Sequence, residues 1–304
     1  MVDKRILNTL RLCLKIKKSD KVLIVTDRFK IGLAKKFEAA AKELSKSVTV
    51  LKTIPSGQHG REPDKKTAAE MQKHDVLICI TRWSLTHTNA RKNATRRGAR
   101  IATLPNFTAD MLPSLGVDYI RMERINNRIE KIMRNGERVE ITTPYGTDLK
   151  FSIKDRKVIY SEKRGKDVFN IPLGEVAVAP RKANGVLVFN AHEDIIRKPT
   201  KIIIKNNKAL SFDKTREGRI IKKIISIPRG RVVAEFGIGT NNKARHVWNT
   251  LQDEKVMGTC HIAFGSNITF GGRNKSNVHV DLMLFRPTIK IDNRIIMDKG
   301  KPRW

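Results

Sequence analysis

The sequence predicts an α/β plus α+β protein: an N-terminal Rossmann-like parallel α/β domain, then a β-rich C-terminal metal-binding domain. Three observations predict it. Over residues 1–135 helical and strand patterns alternate, with strands roughly 25 residues apart, the signature of βαβ units and a parallel sheet. From Arg138 onward, short β-rich runs separated by turn residues replace that alternation. Within those later runs, His, Asp and Glu interrupt stretches that otherwise read as buried strand. A chain of 304 residues has room for two cores, taken here as residues 1–135 and 136–304.

In the first part, Ile6, Leu10 and Leu14 repeat at helical spacing, and Lys21–Thr26 is a short apolar strand. Ile31–Ser45 is an Ala/Lys/Glu-rich amphipathic helix, and Val48–Leu51 a strand. Asp64–Lys73 reads as helix, Asp75–Ile80 as strand, Thr88–Arg97 as helix and Ala99–Thr103 as strand. A linking helix at Arg121–Met133 leads to strands at Val139–Thr143, Thr147–Ile153, Glu175–Ala179, Gly185–Asn190, Lys201–Lys205 and Arg231–Phe236. Met257–Phe264, Val278–Phe285, Thr288–Ile291 and Arg294–Met297 complete the series, and in this half only Asn242–Leu251 looks helical.

Several classes are excluded. No apolar run approaches the ~18 residues of a membrane span. The charged N-terminus has no uninterrupted apolar core before Lys15, so it does not read as a secretory signal. Cys13, Cys79 and Cys260 are odd in number, far apart and set in apolar stretches, the pattern of buried free thiols in a reducing cytoplasm. Asp27–Leu33, after the first strand, lacks the glycine fingerprint of dinucleotide folds, and no phosphate-binding P-loop occurs.

The net charge of +32 is spread evenly, +15 over residues 1–150 and +17 over 151–304. Two acid-free windows stand out. One holds Arg82, Arg91, Lys92, Arg96, Arg97 and Arg100; the other holds Arg197, Lys198, Lys201, Lys205 and Lys208. Such a surface attracts polyanions with strong salt dependence, which makes ribosome or RNA association one candidate property. Aromatics are only 6%, and no zinc finger or RNA-recognition signature accompanies the charge.

The chemistry is concentrated in the second half. In Val278-His279-Val280-Asp281-Leu282 a strand period of two puts His279 and Asp281 on one face and Val278, Val280 and Leu282 on the other. Cys260-His261-Ile262-Ala263-Phe264-Gly265 places a second imidazole in an apolar run. Glu235 precedes Phe-Gly-Ile-Gly239, and Glu175 follows Ile-Pro-Leu-Gly174. Two His, one Asp and two Glu suit a hard-to-borderline divalent ion, and two ions sharing a carboxylate would suit hydrolysis. His59, His74, His87, His192 and His246 lie in polar surroundings and read as surface.

Five ordered blocks across roughly residues 140–285 carry a resemblance: Ile141–Leu149, Asn170–Val176, Glu235–Asn241, Gly258–Gly265 and Ser276–Asp281. They resemble the thermophilic metalloaminopeptidase family of aminopeptidases T and S, which forms dimers and holds a pair of divalent ions. The resemblance implies that Glu175, Glu235, His261, His279 and Asp281 are the ligands, for one or two of Zn, Co, Mn or Mg. The family's tyrosine between the two His blocks is missing from Ser266–Ser276, where Arg273 or Lys275 is the candidate replacement by position and charge. The same superfamily includes dihydroxypyridine ring-cleaving dioxygenases, compact proteins with a single iron.

The leading expectation is therefore a cytoplasmic aminopeptidase-type hydrolase, a homodimer as the resemblance implies, acting on a peptide near its N-terminus, with Glu175 or Glu235 as proton shuttle. The second keeps the fold but uses one Fe(II), held by His261, His279 and Asp281, for oxidative ring cleavage. The third is a basic RNA- or ribosome-associated protein on the same fold.

Overall fold

The computed structural model describes residues 1–160, 168–193 and 195–304. The chain divides into two compact units: Met1–Tyr119 with residues 168–173, and Ile120–Tyr160 with Gly174–Trp304.

The first unit is the expected α/β layer. Strands Ser47–Lys52, Lys21–Thr26, Val76–Ile80, Arg100–Thr103 and Val168–Asn170 lie side by side in that order, all parallel. Val76–Ile80 is buried throughout, as a parallel strand covered on both faces should be. Helices Lys4–Cys13, Ile31–Lys42, Lys65–Met71 and Asn89–Arg96 connect the layer. Their starts follow from side chains that accept backbone N–H groups of the first turn: Asp3, Asp64 and Thr88 do this for three of the four. Leu23, Val25, Leu77, Cys79 and Ile101 form a buried cluster on the sheet.

The second unit is built on two antiparallel sheets. One runs Lys208–Phe212, Thr200–Lys205, Arg181–Phe189, Asp148–Ser152, Arg138–Thr142, Thr288–Ile291, Arg294–Asp298 and Lys301–Pro302. The other runs His279–Phe285, Thr259–Gly265, Val233–Gly239, Glu175–Val178 and Val158–Ile159. A single core joins them: Ile141, Phe151, Leu187 and Phe189 from the first meet Phe236, Ile262, Phe264 and Leu282 from the second. Phe151 and Phe236 pack edge to face with centroids 5.1 Å apart. Among the described residues no helix is long and apolar enough to cross a membrane.

The expected helix at Asn242–Leu251 does not form; only Thr250–Asp253 is helical there. The cause is competition for backbone donors. Asn241 Oδ1 accepts from Lys243 N and Ala244 N, Asp253 accepts from Val247 N and Asn249 N, and Trp248 has a positive φ of 58°. The second half instead carries a helix at Arg216–Ile225, capped by Thr215 on Gly218 N. Its apolar face, Ile221 and Ile225 with Ile220 and Ile224 beside them, joins the core, but it is interspersed with Arg and Lys that mask the pattern.

Candidate metal centre

The five-stranded antiparallel sheet separates apolar residues from the candidate ligands by its pleat. Val176, Val178, Phe236, Ile238, Cys260, Ile262, Phe264, Val280, Leu282 and Leu284 all enter the core. Their alternates, Glu175, Glu235, His261, His279 and Asp281, therefore share the opposite face. Register brings them together: Glu175 pairs with Gly239, Gly237 with His261, Glu235 with Ala263 and Ala263 with Asp281, while Gly265 pairs with His279. A bulge between Val233 and Glu235 rephases that strand, so Val233 and Phe236 both reach the core and Glu235 is delivered to the ligand face. Small residues opposite the ligands leave the necessary room. A Cβ at Gly237 would lie 2.1 Å from His261 Cε1 and 2.8 Å from Glu175 Oε1, so the residue facing His261 has to be glycine.

The donor atoms converge. His261 Nε2 lies 2.9 Å from Glu175 Oε1, 3.5 Å from Glu235 Oε1 and 3.9 Å from Asp281 Oδ1. His279 Nε2 lies 2.9 Å from Glu235 Oε2 and 3.2 Å from Asp281 Oδ1. Donors bound at about 2.1 Å around one ion and at right angles to each other stand about 3 Å apart. The spacing therefore fits a shared cation. Among the described residues, His261 Nε2 and Asp281 Oδ1 are buried with no well-formed hydrogen bond, which points the same way. His279 Nδ1 is 2.8 Å from Ser266 O, a carbonyl that only accepts, so Nδ1 carries the proton and Nε2 is left as the ligating atom.

Electrostatics follow from the crowding. Burial works against charge on His261 and His279, but Glu175 and Glu235 around the first, and Asp281 and Glu235 around the second, raise both imidazoles well above their usual range. Burial would raise the Glu175 carboxyl too, yet the Lys255 ammonium and His261 hold it down to about 2. Asp281 is likewise lowered, His279 overcoming the effect of burial.

Four further residues belong to this face of the molecule and were not expected from sequence. Lys255, only 2% exposed, places Nζ 2.6 Å from Glu175 Oε2 and 2.7 Å from Glu254 Oε1. Burial, with Glu175 and Asp281 adding to the effect, pushes Glu254 up to about 8 against the pull of Lys255. His192, expected at the surface, is buried at 8% exposure, and its Nδ1 lies 2.9 Å from Asp281 O. The segment around it bridges to Met283 and covers the edge of the His279–Phe285 strand. Phe270 stacks on His279, with centroids 5.4 Å apart and planes 16° from parallel. Only Phe270, nine residues before His279 in a loop whose other apolar side chain is Ile268, gave any sequence signal; Glu254-Lys255 reads as solvated charge.

The remaining expected site residues lie elsewhere. Arg273 and Lys275 are exposed in the loop before His279, and no hydrogen bond or ion pair joins either to the five candidate ligands among the described residues. Of the basic windows, Arg91 Nε donates to Thr86 O, and Arg100 donates to Leu14 O and Lys15 O while pairing with Asp20 at 2.6 Å. These two are structural cations. Lys92, Arg96 and Arg97 are exposed, as are Lys198 and Lys201, and Arg197 stacks over Trp248 at 4.9 Å.

Known proteins share the whole architecture. A 2,5-dihydroxypyridine dioxygenase from Pseudomonas putida aligns over 99% of this chain and 96% of its own, with a TM-score of 0.80 at 14% identity. AmpT from Thermus thermophilus aligns over 99% of this chain and 98% of its own, with a TM-score of 0.71 at 15% identity. These two establish the fold and, for AmpT, the relation to the aminopeptidase fold that the five sequence blocks suggested. A comparison with curated proteins gives no match. A family model described as NicX, 2,5-dihydroxypyridine 5,6-dioxygenase, matches residues 3–303, and the chain belongs to that enzyme family.

Proposed function

We propose that this protein is a ring-cleaving dioxygenase of the dihydroxypyridine type, dependent on one Fe(II), and not the aminopeptidase that the motifs first suggested. The observation that carries the reading is the convergence of two imidazoles and one carboxylate, His261, His279 and Asp281, on one face of the sheet within a chain of the dioxygenase family. Two His and a carboxylate on one side of an ion, with other positions open, suit non-haem ferrous iron. Iron held there would supply the electron-transfer chemistry that lets dioxygen react with an aromatic ring.

The rest is done by the chain. The Ser266 carbonyl fixes the His279 tautomer so that Nε2 faces the centre. The His192 ring, anchored on the Asp281 carbonyl, holds the backbone that carries Asp281. Gly237 leaves room for the His261 ring to lie against the sheet, and Phe270 stacks on His279 and covers one side of its ring. Glu235, whose oxygens lie 3.5 and 2.9 Å from the two Nε2 atoms, is placed to take the proton from a ring hydroxyl once the other three side chains are engaged.

The test is anaerobic loading with Fe(II), followed by dioxygen uptake with 2,5-dihydroxypyridine. One dioxygen consumed per ring lost is expected, with both labelled oxygen atoms retained in the product. Hydrolysis of peptide amides by the zinc-, cobalt- or manganese-loaded protein, without dioxygen uptake, would restore the hydrolase reading.

A further inference from the structure

The ligand face holds two anionic groups, not one. Glu235, His279 and Asp281 each bring a donor atom within 4.8 Å of the others, and so do Glu175, Glu254 and His261. The groups meet at His261 Nε2, which is 2.9 Å from Glu175 and 3.5 Å from Glu235. Two adjoining clusters of this kind are the layout of a two-ion centre, in which the ions sit about 3.5–4 Å apart. In this protein the second cluster already contains a cation. Lys255 is 2% exposed, and its ammonium contacts both carboxylates, Glu175 at 2.6 Å and Glu254 at 2.7 Å.

We propose that Lys255 Nζ fills the second cation position, so that the centre accepts a single divalent ion, held by His261, His279 and Asp281 with Glu235 beside it. The backbone fixes this placement. Gly239 pairs with Glu175, and a Cβ on Gly239 would lie 2.1 Å from Val256 O and 2.9 Å from Lys255 C, so the strand presses directly on the segment that carries Lys255. Asn241 N donates to Lys255 O at 2.9 Å and holds the segment from the other end. A lysine ammonium is a compact charge that offers donors and no acceptor. It occupies the space between Glu175 and Glu254 that a second ion would need and has no lone pair with which to recruit one. The inference rests on the one-ion reading above and supplies its structural cause.

The probe is Mn(II) alone, added to metal-free protein, counted by elemental analysis after gel filtration and examined by electron paramagnetic resonance. The wild type should hold one Mn(II) per chain with an isolated six-line spectrum. Lys255→Met should hold two, with a spectrum broadened by coupling between close ions, while Lys255→Arg, which keeps the charge, should stay at one. Because Lys255→Met leaves two carboxyl groups facing each other and is at risk of not folding, Lys255→Gln, whose amide can still donate to one of them, provides a second reading. It removes the charge and should likewise hold two Mn(II) with the coupled spectrum. Two ions in the wild type would refute the one-ion reading itself. One ion with an unchanged spectrum in folded Lys255→Met or Lys255→Gln would overturn the role of Lys255 and leave the one-ion reading standing.

Discussion

Replacing Gly237 by alanine is the sharpest test of how the sheet positions His261. The added Cβ would lie 2.1 Å from His261 Cε1, 2.4 Å from Nε2 and 2.8 Å from Glu175 Oε1. To regain ordinary contact near 3.4 Å the ring has to withdraw by about 1.3 Å in a close-packed site. With a side chain only 1% exposed it cannot swing into solvent, so Nε2 must leave the point where it faces three carboxylates. Overpacking of this kind costs about 1–3 kcal/mol of stability. Displacing a ligand by more than about 1 Å should weaken ion binding by around 100-fold, the upper range for disturbed ligand support. Mn(II) titration of the metal-free variant measures the second effect, and urea denaturation the first. Gly32→Ala is the control: it lies in the Ile31–Lys42 helix with nothing within 4 Å of the new methyl. It should gain about 0.5–1 kcal/mol and leave the ion untouched. If Gly237→Ala bound Mn(II) within twofold of wild type, His261 would have room to retreat and the argument from Gly237 would fail.

The raised imidazoles of His261 and His279 set a pH dependence in the metal-free protein. A folded pKa above the unfolded value of about 6.5 means that the stabilisation is fully present below that value and is lost as pH rises through the folded values. Ion binding needs both rings neutral, so it should release protons and weaken as pH falls; calorimetry in buffers of different ionisation heat should count protons released near pH 7, and a count of zero would contradict the ion-pair network. Burial pushes the Cys79 thiol up to about 12 and raises Cys260 further. Both should resist thiol reagents in the native protein at pH 8 and react once it is denatured, and modification of either in the native protein within minutes would contradict their burial. Arg100→Met removes a cation that ties Leu14 O, Lys15 O and Asp20 together. It should cost about 2 kcal/mol in chemical denaturation, the scale of a lost charge-assisted cluster. A loss under about 0.5 kcal/mol, ordinary for a solvated surface charge, would return Arg100 to the exposed basic face.

Much of the fold was legible because each half obeys one period. In the first unit, apolar runs such as Val76–Ile80 alternate with capped helices, and a parallel sheet follows almost directly. In the second unit the period of two was enough to put His279 and Asp281 on one face and Val280 and Leu282 on the other, and the structure extends that division across four strands. What local pattern does not carry is interaction that skips along the chain. The turn at 242–249 is dictated by Asn241 and Asp253 accepting backbone donors, which outweighs a respectable helical composition. Lys255 was invisible for the same reason. In sequence it is one charge among Asp253, Glu254 and Lys255, and only the fold carries it to Glu175, eighty positions away.

That residue also explains why the reaction was harder to read than the site. Glu175, Glu235, His261, His279 and Asp281 occur in an order that serves either a two-ion hydrolase or a one-iron oxygenase, so the motifs cannot choose between them. The choice depends on the charge of the atom beside Glu175. A second divalent ion there would bring two positive charges, an open coordination position and a route to activated water. An ammonium brings one charge, three donors and no position for a nucleophile. With Nζ at 2.6 Å from Glu175 and 2.7 Å from Glu254, the proposed assignment gives the position that a second hydrolytic ion would need to the protein itself. It leaves the imidazole–carboxylate group to hold the proposed ion, in keeping with the family to which the chain belongs.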